Sequence, residues 1–262
     1  MIACYTEAAA EALPRRSISL IIPAYNESAR VGSTLDSTVA FLRSWGAAFE
    51  VLLVDDGSDD GTAAIARNRA NALPELRVIS IVHGGKAAAL RAGLIAAENE
   101  LVGFSDADLA TPLTYLEELA DVIAAGSDVA IGSREGAGSR RFGEPVIRHI
   151  MGRAFNLIVQ TLLLPGLQDT QCGFKLFRRE AIQSILARTK LYADGAQIRG
   201  PRVTAFDVEL LVIARRLGFK ITPVSVVWTY GTQSKVQPGL DTWHNLRDVL
   251  KVRLNVWRGR YT

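Results

Sequence analysis

Leu101-Val102-Gly103-Phe104-Ser105-Asp106-Ala107-Asp108 is the stretch on which the reading of this chain turns: a short apolar run ending in two carboxylates one residue apart. If the run is a strand, residues i and i+2 point the same way, so Asp106 and Asp108 share a face at its C-terminal end. Hard cations such as Mg²⁺ or Mn²⁺ take oxygen ligands of this kind and usually hold substrate phosphates too. A bare Asp-x-Asp also occurs in solvated turns, so its surroundings decide what it means.

Outward from it, 17–22, 49–54 and 76–81 are equally brief, apolar and β-branched, the pattern of strands buried on both faces. Between them, 29–42, 62–71 and 86–97 carry helical patterns. A further helix is expected after Thr111-Pro112, with Thr as N-cap and Pro at N1, running to Ala125, and then a strand at 129–131. This βαβα order predicts an α/β fold with a mostly parallel sheet wrapped by helices. Ligands of such sheets bind beyond the C-terminal strand ends. After residue 134 the pattern changes to a Gly/Arg-rich loop at 136–143, an amphipathic helix at 146–164 and a strand at 173–177. A helix at 206–217, a strand at 221–230 and a final helix at 243–257 complete the reading.

The 262 residues are 48% hydrophobic and 22% charged, ordinary for a folded chain with a large core. A net charge of +3 suits an anionic substrate or membrane surface, and no dense Lys/Arg run points to nucleic acid. Cys4 and Cys172 lack metal-ligand spacing and fit a reduced, cytoplasmic protein. Residues 1–16 contain Glu7 and Glu11 and no apolar run, so they read as a loose tail and not a signal peptide. No uninterrupted apolar stretch is long enough to span a bilayer.

Three more motifs fall at predicted strand ends. Pro23-Ala24-Tyr25-Asn26-Glu27 offers an aromatic ring and polar groups, or else Asn26 or Ser28 merely caps the next helix. Asp55-Asp56-Gly57-Ser58-Asp59-Asp60-Gly61-Thr62 has more carboxylates than a cap needs, and these can accept bonds from a nucleobase or ribose. His83-Gly84-Gly85-Lys86 opens a helix whose backbone N–H groups, with Lys86, make a phosphate cradle, although the Walker A spacing is absent.

In this order the four motifs resemble the inverting family 2 glycosyltransferases of GT-A fold, a Rossmann-like sheet. The resemblance covers about residues 17–236. Gly132-Ser133-Arg134, the stretch from Asp169 to Phe177, and Phe206-Asp207-Val208-Glu209 are similar to the polyprenyl- and dolichyl-phosphate sugar transferases, with the dolichyl-phosphate β-glucosyltransferases as the nearest branch. His83, Ala87 and Ala205 depart from that pattern, standing for the family's Asn, second Gly and Trp. The resemblance implies a nucleotide-sugar half over 17–134, an acceptor half over 135–240 and a C-terminal amphipathic helix over 241–262.

It further implies that Pro23, Ala24, Tyr25 and Glu27 line the nucleoside pocket with Asp55 and Asp56, Asp55 facing the base. Lys86 would lie near the nucleotide. Asp106, with Ala107, and Asp108 would carry the ribose contact and the metal, Asp108 being the more direct ligand. Arg134 and Lys235, with Gln171 and Ser234 nearby, would meet phosphates. Asp108, Asp169 and Asp207 are the catalytic candidates. The expected reaction moves a hexose from UDP-glucose, or alternatively GDP-mannose, to a polyprenyl or dolichyl phosphate with Mg²⁺ or Mn²⁺. A soluble hydroxyl acceptor would instead need a carboxylate base such as Asp207, and a non-catalytic nucleotide-sugar-binding protein is the rival from another class.

The segments around Phe155 and Trp257 interleave Ile147, Ile150, Met151, Leu250 and Leu254 with Arg148, Arg153, Lys251 and Arg258. Such helices either lie on a membrane surface or pack on a core with a solvated basic face. The first alternative places the protein peripherally on the cytoplasmic face of a membrane.

Overall fold

The computed structural model describes residues 15–192, 204–231 and 238–261, with backbone alone for 238–242. Most of the expected tail, Cys4, Ser234 and Lys235 therefore lie outside the described residues. Five strands, β1 (Ile18–Ala24), β2 (Phe49–Asp55), β3 (Leu76–Ser80), β4 (Leu101–Ser105) and β5 (Val129–Ser133), alternate with α1 (Val31–Arg43), α2 (Thr62–Ala70), α3 (Lys86–Ala96) and α4 (Tyr115–Ala124). Then follow β6 (Arg140–Phe142), α5 (Val146–Leu162), β7 (Phe174–Arg178), α6 (Arg179–Leu186) and α7 (Phe206–Arg216). The chain closes with β8 (Ile221–Ser225), β9 (Val227–Thr229) and α8 (Pro238–Trp257).

Seven strands form one sheet in the order β3-β2-β1-β4-β7-β5-β8, and β6 pairs with β9 separately. The large sheet is parallel except for β7, which runs antiparallel to both β4 and β5. Strand alternation divides the core. Ile18, Leu20 and Ile22 pack with α1 and α4 on one face, while Ile21, Leu52, Val54 and Phe104 pack with α3, α5, α7 and α8 on the other. A Cβ at Gly93 would lie 2.5 Å from Ile21 Cγ2, so only glycine lets α3 seat this closely on β1.

The expected βαβα half is present, with one correction there and others in the later half, where α8 also starts at Pro238 and not at 243. First, α4 starts at Tyr115 and not after Thr111, because the backbone over 112–114 closes i→i+3 turns, Tyr115 N to Pro112 O (3.2 Å), Leu116 N to Leu113 O (2.9 Å) and Glu117 N to Thr114 O (3.1 Å). Second, the 136–143 loop contains β6, which pairs with β9. Third, the single strand expected at 221–230 divides at buried Val226, whose N–H still serves β5 at Ser133 O (3.0 Å) while its carbonyl accepts from Arg140 N (3.3 Å), where the pairing with β6 begins. Fourth, α6 follows β7 directly; its apolar stripe, Ala181, Ile182, Ile185 and Leu186, spans barely two turns. No helix among the described residues is long and apolar enough to cross a membrane.

Candidate active site

The C-terminal ends of β1, β2, β4 and β5 border a cavity of about 540 Å³. The loop after β1 is stapled to the loop after β2. Asn26 N donates to Ser58 Oγ (2.9 Å), Asp59 N to Asn26 Oδ1 (3.0 Å), Glu27 N to Thr62 Oγ1 (2.8 Å) and Ser28 N to Asp60 Oδ2 (2.9 Å). Burial works to raise the Asp60 pKa, but hydrogen bonds from Thr62 and Ser28 hold it well below the usual carboxylate range. Neither Asn26 nor Ser28 is the N-cap of α1; that position is Arg30, which makes no side-chain capping bond. The acidic run thus serves the loop itself.

Pro23, Ala24, Tyr25 and Glu27 line the cavity as expected, and so does Asp56. Asp55 does not; its Oδ1 accepts from Ser58 N at 3.3 Å inside the loop. Asp56 is a clamp. Its carboxylate accepts from Gly84 N (2.8 Å) and Gly85 N (2.9 Å) and faces His83 Nδ1 (2.8 Å), and the His83 ring stacks on Tyr25 at 4.1 Å. Burial raises the Asp56 pKa, and these donors counter it. The clamp fixes the backbone that leads into α3, whose first residue is Lys86.

Lys86 Nζ donates to Asp106 Oδ1. Burial pulls the ammonium pKa down, yet Asp106, Asp207 and Asp108 together push it above its ordinary value, so Lys86 is a fixed cation. Asp106 also leaves no room at Gly173, where a Cβ would lie 2.0 Å from Asp106 Oδ2. Asp108 sits two residues on and accepts from Ala110 N, while Ala110 O ties that loop to Thr229 N at 2.9 Å.

Across the sheet, Arg134 grips Asp169 through its Nε (2.7 Å), Nη2 (2.9 Å) and backbone N (2.9 Å). Burial works to raise the Asp169 pKa, but the Arg134 charge and its bonds prevail and lower it to about 2. The guanidinium also lies over Trp228 at 5.4 Å. The second catalytic candidate, Asp207, accepts from Lys175 Nζ at 2.8 Å, and Lys175 is fully buried. Gln171 lines the cavity; Ser234 and Lys235 fall outside the described residues.

The carboxylates of this cavity share one pattern. Glu27 pairs with Arg30, Asp56 with His83, Asp106 with Lys86, Asp169 with Arg134, Asp207 with Lys175, and Glu135 and Glu144 with Arg141. Asp108 alone has no ion-pair partner among the described residues. Burial and the neighbouring Asp106 raise its pKa. The donor set suits a hard cation, because two adjacent carboxylates supply oxygen ligands and one of them lacks a counter-charge. No group of three or more His, Cys, Asp or Glu among the described residues is placed to hold a metal, so the remaining ligands of such a cation would be substrate oxygens.

Lys175 and the Trp228–Tyr230 pair, whose rings are 5.9 Å apart, were not picked out as site residues from sequence. A lysine inside the apolar run Phe174-Lys175-Leu176-Phe177 was the available signal, since a buried charge requires a partner. Asp169→Asn should cost stability at neutral pH. A depressed folded-state pKa stabilises above the ordinary value of 3.8 and ceases to do so as pH falls toward about 2. Urea titrations at stepped pH should therefore show the wild-type advantage at pH 7 and lose it near pH 2.

A mostly parallel sheet, flanked among the described residues by eight helices and presenting the carboxylate pair at its ligand-binding edge, is the architecture of a GT-A glycosyltransferase. The family model "Glycosyl transferase family 2" matches residues 19–186, and the chain belongs to that family. It is 30% identical over 263 residues to a dolichyl-phosphate beta-glucosyltransferase of Dictyostelium discoideum, covering 92% of this chain and 76% of that protein. The human protein of the same name is 31% identical over 268 residues, covering 95% of this chain and 78% of its own length. Glucosyl-3-phosphoglycerate synthase from Mycobacterium tuberculosis, solved with UDP, superposes with a TM-score of 0.62 at 23% identity over 91% of this chain and 80% of that one, a likeness of fold.

Proposed function

We propose that this chain transfers glucose from UDP-glucose to a polyprenyl or dolichyl phosphate, inverting the anomeric centre. The relatives' names supply the sugar and the lipid class. The geometry favours a nucleophile that needs no base. Asp169 and Asp207, the two carboxylates that could serve as bases, are both bound to buried or half-buried cations. A hydroxyl acceptor gains about 10²–10⁴-fold from a positioned base. A phosphate is ionised already and needs only to be held in line.

Asp106 and Asp108 would hold a divalent cation, which when bound supplies Lewis-acid stabilisation of the departing diphosphate. Lys86 places a further positive charge beside those carboxylates, and the Asp56 clamp presents the Gly84 and Gly85 backbone at the same rim. Tyr25 and Glu27 face the nucleoside. Arg134, fixed by Asp169 and Trp228, orients the acceptor side along with Gln171, Ser234 and Lys235. Incubating the protein with UDP-glucose and GDP-mannose, each with Mn²⁺ or Mg²⁺ and a short polyprenyl phosphate, tests the reading. Glucosyl transfer to the lipid phosphate is expected, and transfer only to soluble hydroxyls would refute it.

The lipid acceptor requires a membrane surface. Val146, Ile147, Ile150 and Leu157 on α5 and Trp243, Leu250 and Trp257 on α8 are exposed apolar side chains on two helices in mutual contact. The acceptor half would dock peripherally through them, with α8 lying along the interface. Arg153 is engaged with Glu135 at 3.0 Å, so the apolar residues carry more of this contact than its charge. Trp243→Ser with Trp257→Ser should abolish flotation with liposomes while leaving the melting temperature within a few degrees. Flotation unchanged in that variant would remove the docking surface.

A further inference from the structure

We propose that the α5–α8 side of the cavity receives the transferred hexose, and that Asn156 and Asn245 read its hydroxyl groups; this deepens the function proposed above and rests on it. Five buried side-chain polar atoms in the described structure lack a hydrogen-bond partner, and three of them, Asn156 Oδ1, Thr170 Oγ1 and Asn245 Oδ1, belong to residues lining this one cavity. Their residues are 8%, 1% and 6% exposed. Buried polar groups in folded proteins are almost always paired, so three in one cavity mark a surface built for a ligand.

The chemistry of these groups narrows the ligand. All three are neutral, whereas the phosphate-facing part of the cavity carries Lys86 and Arg134. An amide presents an acceptor and two donors, the complement of hydroxyls that both donate and accept. A polyprenyl tail could satisfy none of them. Leu90, Phe155 and Phe206 line the cavity beside them and belong to the core on the α3 face of the sheet, which suits the apolar faces of a pyranose ring. The sheet order adds direction. The nucleoside rim lies at β1 and β2, the carboxylate pair at β4, and α5, α7 and α8 on the α3 face beyond. A nucleotide sugar with its diphosphate at Asp106 and Asp108 would thus extend its hexose toward Asn156 and Asn245.

The test uses the hexose donor that the wild type accepts, UDP-glucose first, with UDP as the sugar-free control. Asn156→Ala and Asn245→Ala should each weaken nucleotide-sugar binding about tenfold in calorimetry and leave UDP binding unchanged, and each should narrow the kcat/KM preference for glucose over its epimers. Donors lacking one ring hydroxyl supply the same test on the unaltered protein, independently of whether the variants fold. At least one deoxy donor should lose about tenfold in kcat/KM, and the matching Asn variant should lose nothing further with it. Equal loss of UDP and UDP-sugar binding in the variants, or deoxy donors all within twofold of the parent, would overturn the inference while leaving the transferase reading intact. A wild type that transfers from no nucleotide sugar would overturn both.

Discussion

Asp108→Asn is expected to abolish transfer and yet to make the metal-free protein more stable. The carboxylate stands beside Asp106 on a residue that is exposed at the cavity rim, its pKa is raised by partial desolvation and then by that neighbour, and it has no ion-pair partner among the described residues. Asparagine keeps the size and the acceptor for Ala110 N while removing a charge that the fold alone does not balance. Losing a Lewis-acid contact worth several kcal/mol lowers the rate by about 10³-fold or more. Thermal melts separate the two effects. In EDTA the variant should melt above the wild type. With Mn²⁺ at about 100 times its dissociation constant the wild type should gain about 2.7 kcal/mol, and the variant far less. Turnover within tenfold of wild type, or an equal Mn²⁺ shift in both proteins, would remove Asp108 from the cation site.

A second large effect is expected at Asp207, chiefly on stability. Lys175 is fully buried with its ammonium on Asp207 Oδ1 and on Cys172 O, above the Phe104 ring at 5.3 Å. Asp207→Asn leaves that ammonium without its counter-charge, a change that costs about 3–5 kcal/mol when one partner of a buried pair is removed. Adding Lys175→Met should recover most of the loss, because replacing both charges removes the desolvation problem. Urea unfolding of the two single variants and the double variant measures this. Single-turnover transfer to a polyprenyl phosphate by the folded fraction of Asp207→Asn should fall less than tenfold. If Asp207→Asn is as stable as wild type but inert, Asp207 is a base and the acceptor is a hydroxyl.

The first half of the fold was legible because its strands are short and apolar, with β1, β2 and β4 buried on both faces, and because turn motifs mark each strand end; β3, expected to be buried likewise, is half-exposed as the sheet edge. The later half hid its geometry for specific reasons. Phe174 to Phe177 could be read as a strand, but the direction of a strand is a long-range property, so the reversal of β7 has no local signature. The strand over 221–230 divides at Val226 because its second part pairs with β6, more than eighty positions away, and not with β5. The site residues were identified by type more readily than by partner. Asp169 and Arg134 were both named, but their mutual grip depends on the β5–β7 pairing. Asp55 is the one expected to face the base, yet it bonds Ser58 inside its own loop, and it is Asp56 that lines the cavity, clamped on Gly84 and Gly85. Asn156 and Asn245 belong to no motif.

The reversed strand has an architectural consequence. In a wholly parallel sheet one edge collects chain segments that are leaving strands, and every segment there must continue into a crossover. Because β7 runs the other way between β4 and β5, its entrance stands among their exits. The 163–173 segment that feeds it reaches the cavity from α5 as an incoming thread, carrying Asp169, Gln171 and Gly173 against Arg134 and Asp106. Two separate portions of sequence thus meet at one rim, the outgoing loops after β1, β2 and β4 and the incoming one before β7. Under the proposed function, rewriting the incoming thread would change what receives the sugar while the loops after β1 and β2 keep their stapling.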